Sequence, residues 1–337
     1  MKIKEIVGKF LDRLEDPKSP LHKTLLRWCG VAVLLIIAFL LIYSEIFGPV
    51  SRGDRTTFEF VITPEDTEGD VGRILQEAGL VRYAVSFDMA HIISGNAPIR
   101  PGGYRVSLGL DAWTVADIFS KRPYLVWVTI PEGYRKEQLG EYLGKELSWS
   151  KEDIEKWNNT PSPEGVYFAD TYLIPSDQTP QQVQSRLQGR FEDVMAEYIV
   201  LAREKGHDWN DIVTLASIIE RESARTDKKL VSGILWNRIE RDWMLQVDAT
   251  LQYIKGESGK WWPAPTSDDK YLESPYNTYD HTGLPPGPIA TPSIASIDAA
   301  LNPDLTNCLY YLHDNRGRIH CTRTYTEHKQ NVVRYLR

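Results

Sequence analysis

From Trp28 to Tyr43 the chain reads WCGVAVLLIIAFLLIY, with no charged or amide side chain. Carried on to Phe47, the run is about twenty residues long, enough to cross roughly 30 Å of hydrocarbon as a helix. A segment with no polar face cannot sit on the surface of a soluble domain. It therefore fixes one element before anything else is read. A cleaved signal peptide would need a small-x-small site after the run, and none follows. Trp28 and Tyr43 lie where interfacial aromatics belong, and Lys18, Lys23 and Arg27 precede the run. The positive-inside rule then predicts a cytoplasmic N-terminus and export of everything from about residue 48 onward. The expected organisation is a cytoplasmic segment over 1–27, amphipathic enough to touch a partner or the inner leaflet, and a transmembrane helix over 28–47.

Charge follows the same division. Residues 1–27 carry seven Lys/Arg against four Asp/Glu, a local +3 that leaves −10 for the remainder of a chain whose total is −7. A net acidic exported part argues against nucleic acid, which needs a basic face. At 42% hydrophobic and 25% charged residues, the whole chain has the composition of ordinary folded domains. Seven histidines and three cysteines show neither HExxH nor CxxC spacing, so neither a protein-held metal nor a cofactor is expected.

Past the polar link Ser51–Arg55, alternation in Thr57–Ile62 predicts a strand. Asp66 or Thr67 is placed to cap a helix over 71–78 stopped by Gly79, and a second helix covers 83–93. Pro101–Val106 reads as a turn and strand, with a helix near 114–120. A second block opens with a buried strand at Leu125–Ile130. Helices are expected over 136–147, 151–158 and 180–205, the last with apolar residues spaced by threes and fours. The fold class is α+β: one membrane helix, a small module over 48–124 with its linker, and a larger domain over 125–337.

The most informative chemistry lies in Leu215-Ala-Ser-Ile-Ile-Glu-Arg-Glu-Ser223. A helix over 211–223 would line up Ile212, Leu215, Ala216 and Ile219, with Glu220 and Glu222 at the two edges of that stripe and Arg221 pointing away. A carboxyl half-withdrawn from water gains proton affinity, as cleavage of a glycosidic bond requires. Pairing with Arg221, Arg225 or Arg238 is the structural alternative, and the helical wheel does not choose between the two acids. Further on, Gln246 and Asp248 share a face if Leu245–Tyr253 is extended. Loops at 274–279 and 283–293, rich in Tyr, Asn, Gly and Pro, suit a sugar: rings stack on its C–H faces and amides bond its hydroxyls. Ser217 and Ser223 lack a nucleophile elbow. Cys308 and Cys321 flank a hairpin-like turn at Asp314–Gly317, and whether they are bonded is left open.

Taken together, LASIIERES, NRI, LQVDATLQY, SPYNTY, GLPPGPIATPS and TYTEH give the stretch from Val126 to Leu336 a resemblance to the endolytic murein transglycosylase family (the YceG-like, MltG group). The resemblance implies a LysM-like module ahead of the catalytic domain, here about residues 56–122. It also implies internal cleavage of nascent peptidoglycan strands between N-acetylmuramic acid and N-acetylglucosamine, leaving 1,6-anhydro ends, on the outer side of the inner membrane. It points to Glu222, the second acid of the E-x-E pattern, as the catalytic residue, with Glu220 as a neighbouring like charge. Glu220, Ser223, Gln246, Asp248, Tyr276, Asn277 and Ser293 would line the groove. Where relatives carry a His-aromatic-Phe run, this chain reads Ile319-His-Cys321. Two other readings stay open. One is a wall-binding scaffold that holds a peptidoglycan synthase complex at the membrane. The other is a hydrolase in which Asp248 activates water opposite Glu222.

Overall fold

The computed structural model describes residues 16–95, 97–224 and 226–336. The first fifteen residues of the expected cytoplasmic segment, and Arg225 as an ion-pair candidate, lie outside them. The chain divides into two compact units, residues 1–125 and 126–337.

The first unit begins with α1 (Pro20–Phe47), longer than the apolar run because the turns carrying Lys23 and Arg27 are helical too. Its apolar side chains are exposed along most of its length, Leu34 and Leu41 by two thirds. By length and composition it can cross a membrane. Strand β1 (Phe58–Ile62) pairs antiparallel with β2 (Gly102–Val106), Phe58 facing Val106 and Ile62 facing Gly102. Between them come a 3-10 turn (Glu68–Asp70), α2 (Val71–Glu77) and α3 (Ala84–Ile93), and α4 (Ala112–Phe119) follows β2. The expected β-α-α-β order is therefore present. Thr67 opens the 3-10 turn without a side-chain cap. Gly79 ends α2 at φ +70°, a left-handed value that costs glycine nothing. Leu75, Leu80, Phe87, Tyr104 and Phe119 close the core, with the Tyr104 and Phe119 rings stacked at 4.3 Å.

In the second unit, β3 (Leu125–Thr129) lies beside β4 (Thr171–Pro175), a strand the sequence reading missed. Helices α5 (Lys136–Leu147) and α6 (Lys151–Asn159) pack on it through Leu139, Leu143 and Trp157. The long α7 (Pro180–Glu204) starts with a capping box between Thr179 and Gln182. At the centre is α8 (Trp209–Glu222), capped by Asp208 and starting two residues ahead of the expected 211. Helices α7, α9 (Lys228–Ile239), α10 (Asp248–Lys255) and α11 (Ile294–Leu301) surround it. Every residue from Ile212 to Ile219 is buried, so α8 is enclosed on all sides rather than along one stripe. The chain ends with the hairpin β5 (Tyr310–His313) and β6 (Ile319–Thr322), then α12 (Tyr325–Tyr335). Cys308 and Cys321 are bonded across the hairpin, Cα atoms 5.8 Å apart.

Candidate active site

The two acids at the C-terminal end of α8 enter different environments. Glu220 turns toward the start of α11. Its Oε2 accepts from Lys228 Nζ at 3.0 Å, from the Ser293 amide at 2.9 Å, and from the Ser293 and Ser296 hydroxyls at 2.5 and 2.6 Å. Burial works against its charge, but these donors together outweigh it and hold the carboxyl below its ordinary range. Glu220 is therefore an ionised cap and ion-pair member, with four donors gathered on Oε2.

Glu222, two residues on, turns toward the start of α10. Its Oε1 accepts from the Ala249 amide at 3.0 Å and its Oε2 from the Tyr311 hydroxyl at 3.0 Å. Burial is the main influence and raises its proton affinity; the two donors and His313 oppose it, Asp248 reinforces it, and the net shift is upward. The like charge felt by Glu222 is thus Asp248. Glu220, which the resemblance put in that role, is engaged on the other wall. Tyr311 is itself held protonated by burial, with its hydroxyl pushed well above the usual range.

A groove of about 760 Å³ opens in front of Glu222, lined among others by Gln246, Asp248, Tyr279, Tyr311 and His313. Leu245–Tyr253 is not extended. Gln246 adopts φ +47°, fixed by its amide bonding to Thr278 O at 2.9 Å, and α10 starts at Asp248. A left-handed non-glycine residue beside a groove is strain of the kind found at functional positions. Asp248 accepts from the Tyr279 hydroxyl at 2.7 Å.

The remaining expected groove residues are elsewhere. Ser223 and Ser293 line a second pocket of about 340 Å³ with Glu220 and Lys228. Ser223 donates to Ile219 O, and Ser293 caps α11. Asn277 is fully buried, its amide spent on Lys270 O, Leu272 O and the Tyr279 amide. It shapes the loop that presents Tyr279 instead of meeting a ligand. Tyr276 packs against Tyr253, ring centroids 5.0 Å apart. Arg221 does not point away: it is half-buried and lies 3.9 Å over the Trp262 ring. Arg238 pairs with neither acid; its guanidinium donates to the carbonyls of Leu309 and Leu245.

Tyr311 and His313 are among the groove residues that were not expected, and Tyr279, from the expected 274–279 loop, joins them there. Tyr311 and His313 alternate along β5 and so share a face, with His313 Nε2 2.9 Å from a carboxylate oxygen of the buried Asp227. The Tyr-Tyr-Leu-His alternation ahead of the Asp314 turn was the available signal. His320, in the run that departs from the expected pattern, pairs with Asp314 and stacks on Tyr335 at 3.7 Å. Among the described residues no group of His, Cys, Asp or Glu could hold a metal ion.

Fold and site define an α+β protein with one groove-facing acid of raised proton affinity. The family model for the YceG-like family matches residues 60–334, and the chain belongs to that family. It is 24% identical over 332 residues to an endolytic murein transglycosylase of Bacillus subtilis, covering 90% of this chain and 91% of that protein. It is 25% identical over 309 residues to one from Streptococcus pneumoniae strain D39, covering 79% of this chain. The chain spans only 56% of the length of that relative. The crystal structure of a yceG-like protein from Listeria monocytogenes shares the fold, with a TM-score of 0.55 at 24% identity over 82% of this chain and 99% of that one.

Proposed function

We propose that this chain is a membrane-anchored endolytic lytic transglycosylase of peptidoglycan, with Glu222 as its single catalytic acid and base. The observation that carries the reading is the contrast at the end of α8. Glu220 takes four donors on one oxygen and is ionised, whereas Glu222 faces the groove with its proton affinity raised by burial. The named relatives supply the substrate class.

In the first step Glu222 donates its proton to the glycosidic oxygen as the muramyl C1–O bond breaks and oxocarbenium-like charge builds on the ring. The carboxylate left behind is stabilised by the Ala249 amide and the Tyr311 hydroxyl. It then takes the proton from the same sugar's C6 hydroxyl, and O6 bonds to C1. The proton balance closes on one residue, and neither water nor a second carboxylate takes part. Acid–base help of this kind is worth about 10²–10⁴ in rate. Residues 56–122 act as a LysM-like wall-binding module. Helix α1 is the single-pass anchor, with its N-terminus in the cytoplasm and the following units outside the inner membrane.

A second reading has one observation in its favour. Asp248 shares the groove and raises the proton affinity of Glu222 through its charge, so it could activate water as in an inverting hydrolase. Mass spectrometry of murein digested by the detergent-solubilised full chain separates the two. Anhydro ends support the transglycosylase, and reducing ends reject it. Glu222→Gln abolishes cleavage with unfolding temperature and murein sedimentation near wild type. Substantial residual cleavage in that variant removes Glu222 from its role.

A further inference from the structure

Helix α3 is amphipathic the wrong way round for a surface helix. Ser86 and His91 point inward with Phe87 and Ala90, while Val85, Met89, Ile92 and Ile93 are exposed, by 57, 45, 64 and 65%. On a 3.6-residue wheel these four fall within an arc of roughly 100°. Aliphatic side chains concentrated in this way on a solvent face mark an interaction surface. They offer no aromatic plane or amide for a sugar, so a glycan does not fit them.

The location names the occupant. Arg82, two residues before α3, reaches Glu45 in the last turns of α1 at 2.5 Å and bonds Pro49 O at 3.1 Å. Phe47, the last residue of α1, stacks on Trp113 at 5.5 Å. Helices α1 and α3 are in contact. The apolar stripe is thus fixed beside the point where the spanning helix ends, with Tyr43 and Tyr83 both exposed at that level. Aromatic residues of this kind favour the headgroup region, and an exposed aliphatic helix face buries into the boundary beneath it.

We infer that the outward face of α3 is a lipid-contact surface: Val85, Met89, Ile92 and Ile93 seat in the leaflet at which α1 ends. The inference rests on α1 spanning the membrane, which the proposed function includes. The small module is then held down on the bilayer by two elements and does not swing from a single tether.

The test uses the full chain in vesicles of phosphatidylethanolamine and phosphatidylglycerol. In a Cys29→Ser background, nitroxide labels are placed one at a time at Met89→Cys, Ile93→Cys, Leu40→Cys within α1, and Asp117→Cys on α4. Collision with oxygen and with a water-soluble nickel chelate is read by electron paramagnetic resonance. The expected oxygen-to-nickel ratio at 89 and 93 is several-fold above that at 117 and closer to that at 40. Ratios at 89 and 93 equal to that at 117, with 40 still in lipid, overturn the lipid contact and leave the anchor standing. An aqueous value at 40 overturns both. Dipolar broadening at 93 that disappears on dilution with unlabelled chain overturns the inference in favour of a second copy on this face.

Discussion

Replacing Tyr311 with phenylalanine isolates the tuning of the acid from its placement. The hydroxyl donates to Glu222 Oε2 at 3.0 Å and favours the carboxylate form. A hydrogen bond to a charged group is worth about 1.5–3 kcal/mol. At 1.36 kcal/mol per pH unit, its loss raises the proton affinity of Glu222 by about one to two units. The first step needs the protonated acid, so activity falls as pH rises through that value. In Tyr311→Phe the alkaline limb of kcat/KM must therefore move upward by about one to two units, because kcat/KM reports the free enzyme. The rate on the acidic side should decline, since a carboxylate without that donor is harder to form. The assay is release of anhydro-muropeptides by the full chain in detergent across pH 5–9. An unmoved limb, or one displaced to lower pH, refutes the argument.

Other substitutions test the neighbouring groups. Asp248→Asn removes a like charge that raises the affinity of Glu222, so the alkaline limb should shift downward, opposite to Tyr311→Phe; an upward shift contradicts the electrostatics. Glu220→Gln leaves Lys228 without its counter-ion in a pair only 12 and 11% exposed, and calorimetry should show a loss of about 3–5 kcal/mol. Because the Glu220 pKa is depressed in the fold, its stabilisation is present above the unfolded value and vanishes as pH falls through the folded one. The variant's stability deficit should therefore shrink in acid, and a deficit independent of pH contradicts this. Removing the Cys308–Cys321 bond should cost about 3 kcal/mol for a loop of this length. It should also slow cleavage well below the melting temperature, because Tyr311 faces Cys321 in the hairpin; full activity there rejects the second part.

Helices were legible where apolar spacing met a clear stop, as in α5 and at Gly79. The end of α8 was only partly so. The sequence placed Glu220 and Glu222 together on one turn, but their different fates depend on Ser293 and Tyr311, 73 and 89 residues away. The segment at Gln246 misled because its left-handed φ is imposed by Thr278, leaving no mark in local composition. Asn277 looked like a ligand group because an amide in a loop carries no sign of whether it faces outward or holds the turn together. Helices α11 and α12 carried readable signals: the Ser293 cap ahead of Ile294, Ile297 and Leu301, and the Thr324–Glu327 capping box.

The Ala249 amide that meets Glu222 belongs to the first turn of α10, so the side chain proposed to handle the proton also caps a neighbouring helix. A capping carboxylate binds such an amide more tightly when charged than when neutral. In the proposed cycle the stretch carrying Gln246 and Asp248 therefore tightens as the proton departs and slackens as it returns. A grip on the glycan that eases after ring closure would let the cut strand leave without any separate moving part.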